Sequence, residues 1–452
     1  MPFLKWTGNS FVDSGIAAIV QYCEKSKPEN IVLDDINKVK DLIEKLYVED
    51  GWVKSLNTVF TSNTHVTHNS VKTKDKKLIR LQNVLNNLID NFSELGHSGD
   101  CISCGSRDTK SQKNRIHVPM AGYDGSHFFS YTTQGFDYCD VCAFCVQVLP
   151  LALVRCGSHM SLLSTNDQKI LLSYAKENIK DIHTQISSGN YTGVFNRGYS
   201  NPRNALFEIC IDLIQKYYEH EWKEKDVFLR LMCFNNFTQL PEKPLEFIDL
   251  PSNVFKFLLY MNNRKYNVAF KKIVKRNYYR NITGKTEDEY KNYNNIVYER
   301  LLKDKNIIRF FLDHSNKLAH VKWELLEIYL KEVLFMAEKR IEVIKNLSSN
   351  IAEVIKETDS LRRLSQLQQA SKYDSFRTVL LKLVKEWVNL KKEKPLICLD
   401  DYIERLFPEG ALGWKETQDL ILFGIYEKLH SWLITKGEVI EDKEDDIKEN
   451  EN

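Results

Sequence analysis

The chain has 452 residues, 43% hydrophobic and 27% charged, with only 18 Gly and 10 Pro. That is material for two or three domain cores, and it excludes a collagenous, disordered or small disulfide-stapled protein. The 63 Lys plus Arg against 61 Asp plus Glu give a formal charge of +2, but residues 438–452 hold eight acids against Lys443 and Lys448, a net of −6, so the preceding 437 residues carry +8.

Met1-Pro2-Phe3-Leu4-Lys5-Trp6 has no cleavable apolar core, and no stretch approaches the roughly 20 apolar residues that span a bilayer. The expectation is a cytoplasmic chain with no membrane partner. In a reducing compartment ten cysteines do not form disulfides. Six of them, Cys101, Cys104, Cys139, Cys142, Cys145 and Cys156, fall within 56 residues, and such clustering points to metal.

In chain order, the first 95 residues read as helices. Asp13 suits the N-cap of a helix through Ile16, Ala17, Val20 and Cys23, and Asp35 that of a second with Ile36, Val39, Ile43 and Leu46 on one face. Residues 61–77, with His65 and His68, read as a polar loop before a third helix from about Lys77 to Leu95. Gly96 to Gly135 gathers turn glycines, with a short strand predicted around Phe128, Phe129 and Tyr131. The apolar run from Cys139 to Val154 predicts a buried helix despite Pro150. Residues 166–187 predict another helix, 189–203 a loop, and helices resume through Trp222 and Leu231. From Glu287 to Gly437, spacings such as Ile341, Ile344, Ile351 and Ile355 predict a C-terminal helical bundle, and the acidic tail beyond it predicts disorder.

The fold class expected is mainly α with small β elements: an α+β N-terminal part containing a zinc-ribbon-like CxxC/CxxC module, then the helical bundle. The predicted organisation is a helical region at 1–95, the cysteine module at 96–160, a basic mixed region at 161–310, the bundle at 311–437 and the tail at 438–452.

Cys101-x-x-Cys104 and, after 34 residues, Cys139-x-x-Cys142 carry the strongest chemical signal. Each CxxC turn sets two thiolates about one metal ion apart, and two such turns close a tetrahedral S4 shell around Zn2+. A full shell leaves no open coordination position, so the expected cofactor is one structural zinc. Two alternatives stay open: Cys145 repeats the spacing from Cys142 and could replace Cys139, and the same ligands suit an iron-sulfur cluster. Between the pairs, Arg107, Lys110, Lys113, Arg115 and His117 make either a phosphate-reaching basic loop or a solvated one.

Between Leu250 and Thr286 there are nine bases and no acid. Arg264, Lys265, Lys271, Lys272, Lys275, Arg276 and Arg280 are candidate phosphate contacts, and Phe255, Phe257, Tyr260, Tyr266, Phe270, Tyr278 and Tyr279 are candidate stacking faces for single strands. A solvated helix face over core aromatics is the alternative. Arg197 and Arg203 flank a second candidate loop, whose Asn196, Asn201 and Asn204 either read base edges or make turns. No catalytic signature accompanies these: Gly284-Lys285-Thr286 lacks the earlier glycine of a P-loop, Asp313-His314 has no second metal-binding pair, and there is no nucleophile motif. The chain reads as a non-enzyme.

The opening Trp6-Thr7-Gly8-Asn9-Ser10-Phe11-Val12-Asp13-Ser14-Gly15-Ile16-Ala17, followed by the two cysteine pairs, resembles the CRISPR-associated CXXC-CXXC family, large subunits of type I Cascade effector complexes. The resemblance covers the first 160 residues best, and Ser10 departs from the family's frequent proline. It implies a subunit that partners crRNA, target DNA and the other Cascade subunits. Such a subunit recognises the protospacer-adjacent motif, stabilises the R-loop and recruits the helicase-nuclease in antiviral defence, while guide pairing reads the rest of the target. It also implies that the C-terminal bundle is similar to a Cascade small subunit, with a short product beginning near Met336. The competing reading is a stand-alone zinc-ribbon nucleic-acid-binding regulator.

Overall fold

The computed structural model of the chain describes residues 4–60, 64–68, 70–92, 100–105, 113, 117–119, 136–236 and 245–438. They fall into two compact units. The first comprises the residues up to 255 together with 280–294; the second comprises 256–279 and the residues from 295 onward. The strand predicted around Phe128, the end of the third helix at Leu95 and the acidic tail beyond Glu438 lie outside the described residues.

The first unit opens with α1 (Ser10–Tyr22), α2 (Leu33–Tyr47), α3 (Asp50–Val59) and α4 (Lys74–Asp90). The cap of α1 is Asn9, whose side chain accepts from the N–H groups of Phe11 and Val12. Asp13 instead lies in the first turn and reaches back to Thr7 and Gly8. Asp35 likewise sits at the third position of α2, accepting from the Val32 N–H, and so caps from inside the first turn instead of being the N-cap expected. The run after Cys139 divides at its proline. α5 (Asp140–Val148) is buried along its whole length, a 3-10 turn covers Leu149–Ala152, and the chain then enters β1 (Val154–Cys156) and β2 (His159–Thr165).

After α6 (Gln168–Ser188) come β3 (Phe195–Asn196), α7 (Pro202–Tyr217), β4 (Leu229–Phe234) and β5 (Leu245–Leu250). Leu231 therefore stands on a strand, where its apolar surroundings predict a helix. The sheet order is β3-β1-β2-β4-β5, antiparallel except for the β1–β3 pair, with register Met160↔Phe234 and Phe234↔Leu245 fixing the long strands. α1 is the centre of this unit: apolar on all sides, it packs against α5, α6 and β2. A helix buried all round belongs inside the core, not on its surface.

α8 (Ser252–Met261) leads out of the first unit, and α9 (Arg264–Arg276) lies within the second. The chain returns for the short α10 (Glu287–Tyr290), then continues in the second unit through α11 (Ile296–Leu302), the hairpin β6 (Leu312–Asp313) and β7 (Leu318–Ala319), and α12 (Trp323–Glu332). The bundle expected there is present: α13 (Glu338–Glu357), α14 (Leu361–Gln369), α15 (Tyr373–Asn389) and α16 (Trp414–Thr435). α13 and α16 approach closely at Gly424, where a Cβ would lie 2.5 Å from Ser348 Cβ, and Trp323 packs on Phe423 with ring centroids 5.8 Å apart. Among the described residues no helix is long and apolar enough to cross a membrane.

Candidate metal centre

Two loops build the cysteine site. The first knuckle is a tight turn in which the Gly105 N–H donates to the Cys101 carbonyl at 2.8 Å. Gly105 takes a φ of +60, a value that favours glycine. The Ile102 N–H reaches the Asp137 carbonyl at 2.8 Å, and Lys113 and Phe136 exchange backbone bonds of 2.7 and 2.6 Å. The first pair is thereby pinned beside the segment that carries the second. Cys139 occupies the N-cap of α5, where its sulfur accepts from the Cys142 N–H at 3.5 Å. The helix start directs unpaired N–H groups and the positive end of its dipole at the sulfurs, which favours thiolate.

The ligand atoms of Cys101, Cys104, Cys139 and Cys142 all lie within 4.8 Å of one another. Cys104 Sγ and Cys139 Sγ are 3.9 Å apart. Four sulfurs placed tetrahedrally at the zinc–thiolate distance are separated by about 3.8 Å, and a disulfide needs about 2.05 Å. The spacing is that of a shared metal ion, and all four cysteines are free. Cys145, one turn further along α5, is not part of the cluster. Its thiol is buried and pushed up by desolvation, and its backbone is occupied by α1.

Left to themselves, the sulfurs cannot all ionise. Cys104 pushes the Cys101 thiol up, but hydrogen bonds from Cys139 and Cys142 outweigh that and bring it down to about 6. The Cys139 and Cys142 thiols are pushed up, first by Cys101 and then by Cys104. A cation is the group that lets every member ionise together, so the donor set fits a metal ion held by four thiolates.

The opening motif clamps this centre. Thr7 accepts from the Ser103 hydroxyl at 3.2 Å, inside the first CxxC turn, and Asn9 Nδ2 donates to the Tyr138 hydroxyl at 3.0 Å, beside the second. Asp13 holds Thr7 and Gly8 in place through bonds of 2.8 to 2.9 Å. Gly15 faces α5 so closely that a Cβ there would stand 1.9 Å from the Cys145 carbonyl oxygen. None of these pairings is visible in the sequence, although Gly15 in the interior of a buried helix is the kind of residue that marks a close approach.

The candidate nucleic-acid residues are placed unequally. Arg107, Lys110 and Arg115 lie outside the described residues. Lys113 is turned inward: it is buried and its Nζ lies 2.7 Å from Asp140, itself buried, so it braces α5 rather than reaching a phosphate. Beside it His117 and His65 are both held near 4, His65 by burial and then by His117, and His117 by burial and then by Lys113. Arg197 is paired with Asp212 at 2.9 Å and only 15% exposed, while Arg203 lies 3.8 Å from Glu246. Asn201 caps α7, and Asn204 donates to the Lys291 and Tyr293 carbonyls. Asn201 and Asn204 are thus engaged with the stretch 291–294, while Asn196 is exposed.

α9 is different. Asn263 caps it, Phe270, Ile273 and Val274 form its buried face, and Arg264, Lys265, Lys271, Lys272, Lys275 and Arg276 are all exposed. Lys271, Lys272 and Lys275 have no ion pair among the described residues. The aromatics expected to stack divide sharply. Phe255, Phe257 and Phe270 are core side chains, inaccessible to a strand, whereas Tyr266 is half-buried and Tyr279 exposed. In the first unit Arg280 and Lys285 both lie over the Tyr293 ring, at 5.2 and 4.7 Å.

Residues 94–154 match the family model described as CRISPR-associated protein (Cas_CXXC_CXXC). The matched stretch holds all four converging cysteines, so the likeness to that CRISPR-associated family and the four-thiol site fall on the same segment. No curated protein and no solved structure matches the chain.

Proposed function

We propose that this chain, whose cysteine segment matches the CRISPR-associated CXXC-CXXC family model, is the large subunit of a type I crRNA-guided surveillance complex. The observation that carries the reading is the coincidence of the family match with a folded four-thiol centre clamped by the opening motif. In this role the subunit recognises the protospacer-adjacent motif, holds target DNA, stabilises the R-loop and recruits a helicase-nuclease. It performs no covalent chemistry itself.

The metal is one structural zinc held by Cys101, Cys104, Cys139 and Cys142. When bound it supplies charge and cross-linking, not reactivity, because four protein ligands leave no position for substrate. The chain's own residues do the remaining work. The Cys139 N-cap orients α5, Lys113 neutralises Asp140 in its first turn, and Thr7 and Asn9 fix the two cysteine turns to α1. The exposed bases of α9 attract phosphates without reading sequence, with affinity that falls steeply as salt rises.

Co-expression with a guide RNA and candidate backbone subunits tests the proposal. The chain is expected to co-purify with RNA in a stoichiometric assembly. A monomeric, RNA-free chain that binds one DNA sequence by itself would overturn it in favour of a stand-alone regulator.

A further inference from the structure

α9 holds six bases and no acid in its 13 residues. Bases three and four positions apart on a helix repel one another, so this face is short of a counter-charge. Other lysines of the second unit have carboxylates at hand. Lys331 reaches Glu327 and Glu338, Lys392 reaches Glu353 and Glu357, and Lys436 reaches Asp359, all at 2.6 to 3.1 Å. On α9, Lys271, Lys272 and Lys275 have no ion pair among the described residues. Lys265 pairs with Glu324 at 3.2 Å, but both side chains are more than half exposed, which makes the pair weak and easily exchanged.

Acid is plentiful further along the chain. Residues 439–452 hold seven acids against Lys443 and Lys448, a net of −5. The last described residue before them, Glu438, ion-pairs with Lys317 in the turn between β6 and β7, and its N–H donates to the Leu433 carbonyl at 3.0 Å. That exit lies beside α9. Leu318, next to Lys317, lines a groove together with Ala319, His320 and, from α9, Lys265 and Ala269. His320 Nδ1 lies 2.6 Å from the Arg276 guanidinium, and at helical spacing Lys272 falls on the same stripe as Lys265, Ala269 and Arg276. The 14 residues 439–452 span at most about 45–50 Å when extended, whereas α9 is about 20 Å long. Every base of α9 is within their reach.

Charge complementarity and the place of exit name one occupant for this face. We propose that the acidic segment 439–452 docks on the basic face of α9 and there competes with nucleic acid. Tethered at Glu438, it meets α9 at an effective concentration in the millimolar range, so ion pairs too weak to join separate molecules suffice to hold it. A polyanion that binds by charge alone is kept off, while a strand held by further contacts displaces the segment. The competition rests on the nucleic-acid-binding part of the proposed function, but the contact itself is read without nucleic acid, so the two fail separately.

The full chain is treated with a carbodiimide, which condenses a carboxylate with a touching lysine amine, and the linked peptides are mapped by mass spectrometry. Links from the acids of 439–452 to Lys265, Lys271, Lys272 or Lys275 are expected, and an excess of a thymidine 12-mer is expected to suppress them. A chain ending at Glu438, which keeps the pair with Lys317, is expected to bind the fluorescent 12-mer roughly tenfold more tightly at about 50 mM salt, but less than about twofold more tightly at about 300 mM, because exposed charges are screened. A full-length chain whose seven acids are changed to the matching amides is expected to behave like the shortened one. In a chain with Lys271→Glu, Lys272→Glu and Lys275→Glu, the same shortening is expected to bring no gain. The proposal is overturned if the links are absent or fall elsewhere, if shortening leaves a measurable affinity unchanged, or if it raises affinity equally in the lysine variant, which would make the segment a matter of net charge alone. Links in a chain that binds no 12-mer in either form would support the docking and count against the nucleic-acid reading.

Discussion

At Gly15 a single hydrogen in place of a methyl group decides whether α1 can lie on α5. An added Cβ would stand 1.9 Å from the Cys145 carbonyl oxygen and 2.7 Å from its carbon, so Gly15→Ala forces two buried helices apart. It is expected to cost about 3 kcal/mol or more, read as a lower melting temperature together with weaker retention of metal by the four-cysteine site. The cysteines are separable in the same way. Cys104→Ser and Cys139→Ser each leave three thiolates, and should reduce both bound metal and soluble yield, whereas Cys398→Ser, at an exposed position, should change neither. The CxxC spacing announces these four ligands in advance, because the chemistry sits in the residue types themselves. The clamp from Thr7, Asn9 and Gly15 is not legible: its partners Ser103, Tyr138 and Cys145 are 96 to 130 residues away in the chain, and no local pattern records such a pairing.

At the scale of elements, α9 carries the charge argument. Its buried face is fixed by Phe270, Ile273 and Val274, so reversing Lys271, Lys272, Lys275 and Arg276 to glutamate should leave the fold intact. It should weaken DNA binding about equally for all sequences, and anisotropy titrations at several salt concentrations should show a flatter slope, by about 0.9 for each phosphate that is no longer neutralised. A fragment starting at Met336 makes a second case. It retains α13 to α16 but loses α12, and with it Trp323 from its place on Phe423 and Gly424. Its bundle should remain helical by circular dichroism yet melt below the intact chain. The long helices are readable because a 3.6-residue period repeats over several turns. The strands β2, β4 and β5 are not, since runs such as Leu229–Phe234 are too short to separate from a buried helix by period alone. Helix starts slip where the true cap comes earlier: Asn9 precedes a glycine-containing helix, and the acids Asp13 and Asp35 cap from inside the first turn.

For the molecule as a whole, acid should act through His65 and His117. Both are held near 4 by burial, against an ordinary 6.5, with Lys113 disfavouring and Asp140 favouring the charge on His117. Between these values the unfolded chain binds protons that the folded one refuses. Stability therefore rises with pH through this window, and it is lost as pH falls from about 6.5 toward about 4. Urea unfolding midpoints are expected to drop between pH 7 and pH 5, and His65→Gln should reduce that drop. Protonation of the clustered cysteine thiolates pulls in the same direction, so the difference between wild type and variant is the informative quantity.

The chain crosses between its two units three times, at 255–256, 279–280 and 294–295. The returning stretch 280–294 is not idle: Asn292 accepts from the Ser200 N–H at 2.7 Å, and Asn294 from the Asn201 side chain at 2.8 Å. During synthesis, the first unit therefore cannot complete these bonds until residue 294 has left the ribosome, by which time all of α9 has emerged as well. No single peptide-bond cleavage can release either unit whole, and a gene fusion or truncation drawn at any one boundary would leave part of one unit attached to the other.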